Sequence, residues 1–133
     1  MKGTVYVIDT NVILRYLLAD HEEFYERVRT FMDKVRDGNK KVIILGSVIA
    51  ECVYVLLKIY NVPRREIAAK LAGILEYKGV VTSEKEKLME ALSIFAEQNV
   101  EIVDAFVFAF GSHENRKVLS FDKDLKKLAR IPD

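Results

Sequence analysis

Cysteine, histidine, charge of one sign and long unbroken apolar runs are all scarce in this chain. Its single cysteine, Cys52, excludes an internal disulfide framework and any multi-cysteine zinc site. Its place inside an apolar stretch predicts a buried structural thiol. The two histidines, His21 and His113, stand outside every acidic motif described below, which assigns them to solvent or helix ends rather than to catalysis. Lys and Arg number 21 against 20 Asp and Glu, so no global field announces a nucleic-acid or membrane partner, and any such site must be a local patch. After Lys2 the first apolar run, Val5 to Ile8, is broken by Asp9 and is too short for a signal-peptide core. The longest run, "VIILGSVIAECVYVLLKIY" at 42–60, has fifteen apolar residues of nineteen. Gly46 and Ser47 punctuate it, and Glu51 near its centre would cost ~3 kcal/mol inside a bilayer. A membrane span is therefore rejected, and a cytoplasmic protein is expected.

What remains is 133 residues, half of them hydrophobic, enough for one domain over 1–133 with a real core. Short apolar runs alternate with helical patterns, which predicts an α/β fold, three layers α/β/α around a mainly parallel central sheet. "TVYVID" (4–9) reads as a buried first strand ending at Asp9, and "VILRYLLA" as a short helix. "EEFYERVRTFMDKVRDG" is amphipathic through Phe24, Val28, Phe31, Met32 and Val35, with Gly38 as its stop. "KVIIL" is a second strand. Ser47 is positioned to cap a helix reaching about Tyr60, apolar nearly all round and hence buried. Pro63 opens another helix. "VVT" is a brief strand, and Ser83 with Glu86 has capping-box spacing. "DAFVFAF" opens a second apolar helix, "KVLSFD" (117–122) is a strand ending at Asp122, and "KDLKKLAR" is a final helix.

Four acids stand at the rims of these elements. Asp9 and Asp122 follow apolar strands, and open parallel sheets bind ligands beyond their strands' carboxyl ends. Glu51 lies about one turn into a buried helix, and Asp104 heads another. Each has a plain alternative: Asp9 and Asp104 as helix caps, Asp122 in a turn, Glu51 near a helix N-terminus. Glu51 is the hardest to dismiss. Its helical neighbours Ser47, Val48, Tyr54 and Val55 carry no cation, and Lys58 is too far along for a local ion pair. If the four acids meet, repulsion forbids all of them ionising unless a divalent cation is shared. Oxygen-only ligands select Mg²⁺ or Mn²⁺ over zinc.

At these residues the chain resembles the PIN domain family, and within it the VapC-type toxin ribonucleases. "VIDTNVILRYLL" (7–18) is similar to the family's opening strand and acid-Thr/Ser-Asn turn; "SVIAECVYVL" (47–56), "EIVDAFVFAF" (101–110) and "VLSFDKDL" (118–125) resemble the segments carrying the second, third and fourth acids. The resemblance implies a parallel sheet of about five strands with helices on both sides. It also implies Mg²⁺- or Mn²⁺-dependent RNA cleavage, with Asp9, Glu51, Asp104 and Asp122 as the catalytic metal site for one or two ions. It implies that Asn11 braces Asp9 and that Ser120 is the small hydroxyl residue beside the last acid. An antitoxin partner and a homodimer are implied in the same way. Two departures stand out: Glu101 replaces an Asp common in relatives, and "RIPD" stands where relatives often continue into one more strand.

The chemistry expected is phosphodiester hydrolysis by an activated water, with the cation neutralising phosphate charge. RNA needs further cations. Lys123, Lys126, Lys127 and Arg130 share one face of the last helix, either a solvated face or a phosphate-tracking strip. Arg15 is a further candidate. Lys40, Lys41, Arg64 and Arg65 read as surface charge, and Asp124 either joins the metal site or caps the last helix. Phe106 and Phe110 follow core spacing and are assigned to packing. Two rival functions are weighed. A phosphatase of the haloacid-dehalogenase type needs a second Asp where Asn11 stands. A non-catalytic PIN module, binding RNA or protein as a scaffold, would be expected to have lost acids.

Overall fold

The computed structural model describes residues 3–20, 22–113, 115–121 and 123. Strand β1 (Val5–Val7) leads into helices α1 (Thr10–Leu18) and α2 (Glu22–Asp37), then strand β2 (Lys41–Ile43). Helix α3 (Gly46–Tyr54) runs on into a π-helical turn, Val55–Ile59, and is followed by α4 (Arg64–Leu75), α5 (Lys85–Glu97) and α6 (Ile102–Gly111). β1 and β2 pair in parallel, Val5 against Lys41 and Val7 against Ile43. Parallel neighbours need a long crossover, which α1 and α2 supply. A third strand is reduced to one parallel bridge, Val42 with Val80, followed by the Ile44 amide donating to Thr82 Oγ1 at 2.8 Å. The arrangement is α/β, mostly helical around a parallel sheet, and consistent with three α/β/α layers.

Two glycines make the crossover tight. Gly38, with φ +88°, takes the left-handed conformation that ends α2, as its place in the sequence predicts. Gly79 lies so close to the chain before β2 that a Cβ there would sit 1.9 Å from the Lys40 carbonyl oxygen. No larger residue allows that approach. Behind the sheet, Ile13 of α1, Met32 and Val35 of α2, Val42 and Ile44 are fully buried. Ile49, Cys52, Val53 and Leu56 of the 46–59 segment join them, with Ile67, Leu71, Leu92 and Phe95 from α4 and α5. Phe106 and Phe110 are half-buried and meet edge to face at 6.4 Å, as packing residues. Tyr16 of α1 and Tyr77 beyond α4 share a hydroxyl hydrogen bond of 2.7 Å. Burial first, then that bond, pushes the Tyr16 phenol above its ordinary range.

Several expectations are corrected. β1 is not buried: Val7 is 63 % exposed, because among the described residues β1 has a strand neighbour on one edge only. The 117–121 segment is not a strand. Val118 and Ser120 are half-buried while Leu119 and Phe121 are 89 % and 90 % exposed, the alternation of a strand without a ladder. Val118 rests instead against Gly111 at the end of α6. The caps differ as well. Leu45, not Ser47, precedes α3, and Glu84, in the left-handed conformation, takes the place of the expected Ser83 cap.

Candidate active site

Asp9 ends the β1 segment in extended conformation (φ −98°, ψ 176°) and caps α1, its Oδ1 accepting the Val12 amide at 3.2 Å. The plain reading of Asp9 as a cap is therefore correct, and it does not exhaust the residue, because Oδ2 is not used by that bond. Thr10, only 9 % exposed, turns its hydroxyl inward from the first position of α1 and donates to Glu51 Oε1 on α3. This bond ties the start of α1 to the middle of α3, and so joins Glu51 to the residue that follows Asp9. Sequence reasoning did not single out Thr10. The signal was present in the hydroxyl between Asp9 and Asn11.

Glu51 differs from expectation in its surroundings. It is exposed, while Ile49, Cys52 and Val53 carry the buried side of α3. The helix presents one polar line outward, Ser47, Glu51, Tyr54 and Lys58, all exposed. Among the described residues neither Asp9 nor Glu51 has an ion pair with a lysine or arginine. Their charges reach the buried Cys52 thiol. Burial first, then Glu51 and Asp9, pushes that thiol up to about 12. The donors at this place are carboxylate oxygens, which fits a hard cation such as Mg²⁺ or Mn²⁺.

Asp104 lies in the first turn of α6, half-buried, where a negative charge is favoured by the helix N-terminus; Glu101, exposed, occupies the cap position. Among the described residues no three acids, histidines or cysteines come close enough together to hold a metal ion, so Asp104 is not drawn into one cluster with Asp9 and Glu51. Asp122 and Asp124 lie outside the described residues, as do Lys126, Lys127 and Arg130. Lys123 is exposed and Ser120 half-buried. Asn11 is exposed on the first turn of α1, and no hydrogen bond to Asp9 is formed among the described residues. Arg15 pairs with Asp20 at 3.4 Å at the far end of α1, about 9 Å along the axis from Asp9.

One arginine read as surface charge has a structural role. Arg64 donates to the carbonyl oxygens of Phe95 at 3.1 Å and Val100 at 2.6 Å, and its guanidinium lies 4.3 Å from the Phe95 ring centroid. It thereby closes the end of α5 and fixes the turn that leads into α6 and Asp104.

The described residues contain no helix long and apolar enough to cross a membrane. A VapC ribonuclease of Aquifex aeolicus (strain VF5) is 25 % identical over 123 residues, covering 92 % of this chain and 90 % of its own. No solved structure matches. The PIN domain family model matches residues 6–131, from β1 past the last described residue and across every acid discussed above. With nearly the whole chain matched, this protein belongs to the PIN domain family.

Proposed function

We propose that the chain is a divalent-metal-dependent endoribonuclease hydrolysing RNA phosphodiester bonds, the toxin of a VapBC-type toxin-antitoxin pair. The observation that carries this reading is the Asp9–Thr10–Glu51 arrangement: one carboxylate caps α1 and the buried hydroxyl of the next residue holds the other, with no neutralising lysine or arginine among the described residues. The whole-length family match and the similarity to a VapC ribonuclease support it.

The chain's own residues divide the work. The Val12 amide holds Asp9 Oδ1 and the Thr10 hydroxyl holds Glu51 Oε1, so each carboxylate is oriented while its second oxygen is left for a cation. Asp104 adds negative charge from α6, and Asp122 completes the acidic set that the resemblance assigns. When bound, Mg²⁺ or Mn²⁺ supplies charge neutralisation at the phosphate and lowers the pKa of a water. RNA is the substrate; an antitoxin protein and a second copy of the chain are the proposed partners.

The test is cleavage of a panel of structured and unstructured RNAs with Mg²⁺, Mn²⁺ or EDTA, using wild type and Asp104→Asn. Cleavage is expected with either metal and is lost in EDTA and in the variant, whose circular dichroism stays native. Cleavage that persists in EDTA, or equally in Asp104→Asn, removes the mechanism. No cleavage under any condition returns the chain to a non-catalytic scaffold.

A further inference from the structure

Arg64 opens α4, half-buried, and its guanidinium reaches across the end of α5 to three carbonyl oxygens. Phe95 offers one from the last turn of α5 at 3.1 Å, and Gln98 one from the cap position at 3.4 Å. The shortest bond, 2.6 Å, goes to Val100, which belongs to neither helix. Val100 and Ile102 are each 7 % exposed, so the turn between α5 and α6 is anchored in the core on both sides of Glu101. A carbonyl in such a place needs a donor, and Arg64 supplies it from thirty-six residues away. The Phe95 ring against the guanidinium fixes the plane from which these bonds leave. The neighbouring Arg65 makes only a surface pair with Glu97 at 3.2 Å, with both side chains more than half exposed. Such pairs contribute little.

From Val100 the chain passes through the cap residue Glu101 into α6, where the Ala105 amide donates to the Glu101 carbonyl at 3.0 Å. Asp104 lies inside that first turn, so the backbone joining it to Val100 has little freedom of its own. We propose that Arg64 is a positioning residue for Asp104: by holding the Val100 carbonyl it sets where the first turn of α6 places this acid, and thereby the affinity of the acidic site for its cation. The proposal rests on the nuclease reading, in which Asp104 contributes to that site. It also carries a sign. Removing an arginine for its charge alone makes a protein a better cation binder. Removing Arg64 makes this one a worse binder, because the acid is displaced while its own charge remains.

The experiment measures Mn²⁺ binding to the RNA-free protein, from the paramagnetic resonance of unbound Mn²⁺, at a temperature where the variants keep native circular dichroism. Wild type is compared with Arg64→Ala, Arg64→Lys, Arg65→Ala, Ile74→Val, Asp104→Asn and the double variant Arg64→Ala with Asp104→Asn. Arg64→Ala is expected to weaken Mn²⁺ binding about tenfold, and Arg64→Lys nearly as much, since a point charge cannot span the three carbonyls. Arg65→Ala, with the same loss of charge, keeps wild-type affinity, as does Ile74→Val, a core change towards the other end of α4. In the double variant, loss of Arg64 adds nothing to the loss of Asp104. If Arg64→Ala does not fold, Arg64→Lys and its double variant carry the same comparison. Wild-type affinity in the Arg64 variants overturns the proposal, as do full additivity with Asp104→Asn, an equal fall in Ile74→Val, and a wild type that takes up no Mn²⁺. RNA cleavage with Mn²⁺, followed in parallel, separates the two readings. Cleavage with Arg64-independent metal binding removes the positioning role alone. Arg64-dependent metal binding without cleavage of any RNA removes the nuclease reading and leaves the positioning role.

Discussion

Thr10 has the largest consequence for its size. A threonine hydroxyl buried without a partner is unfavourable, and here the partner is a carboxylate from a helix forty-one residues further along the chain. The bond fixes which oxygen of Glu51 faces inward, and so the direction in which the other faces out. Groups that orient a ligand in this way are worth about 10–100-fold in activity or metal affinity. Thr10→Val is therefore expected to lower kcat/KM for RNA cleavage about 10–100-fold, with Mg²⁺ affinity falling alongside, measured by titration of activity against metal. Glu51 itself shows why the residue type alone misleads. Surrounded in sequence by apolar residues, it reads as a buried charge, yet a helix has an outer face even in an apolar stretch, and Glu51 is on it.

Elements place these residues through their ends. α1 begins where β1 stops, so the same Asp9 that satisfies an orphan amide stands at the sheet's carboxyl edge. α5 ends under Arg64, which gathers carbonyl groups that the helix terminus leaves unpaired. Arg64→Ala is expected to destabilise the fold by about 1–3 kcal/mol, read from urea denaturation. Arg64→Lys should restore little, because a point charge cannot reach several carbonyls and stack on Phe95 as a planar guanidinium does. Helices α1 to α6 are readable in outline from apolar periodicity. Their caps are less so: Leu45 and Glu84 occupy cap positions without a side-chain bond, where Ser47 and Ser83 offer better chemistry. Backbone continuity with the preceding strand and turn outweighs a cap worth about 1 kcal/mol.

For the molecule as a whole, the acids set a balance between stability and function. Neither Asp9 nor Glu51 has a neutralising cation among the described residues, and a divalent ion that binds only the folded chain stabilises it by mass action. At a Mg²⁺ concentration about 100-fold above its dissociation constant, the gain is about 2.7 kcal/mol. Thermal unfolding is expected to shift upward with Mg²⁺ and to return in EDTA. Glu51→Gln is expected to lose that shift while changing metal-free stability by no more than about 0.5 kcal/mol, since the amide oxygen still accepts from Thr10. A metal-free loss well beyond that would make Glu51 a structural residue instead.

Composition and spacing were enough to read an α/β fold with a parallel sheet, and they raised the expectation that four spaced acids would suit a hard cation. These are local properties: periodicity follows from backbone geometry, and ligand softness from side-chain chemistry. Only the tertiary structure decided which groups meet. It joined Asp9 to Glu51 through Thr10, paired Arg15 with Asp20, left Tyr54 in solvent and kept 117–121 out of the ladder. Such outcomes depend on contacts between segments distant in the chain, where each burial competes with every other, and no window of sequence contains that competition.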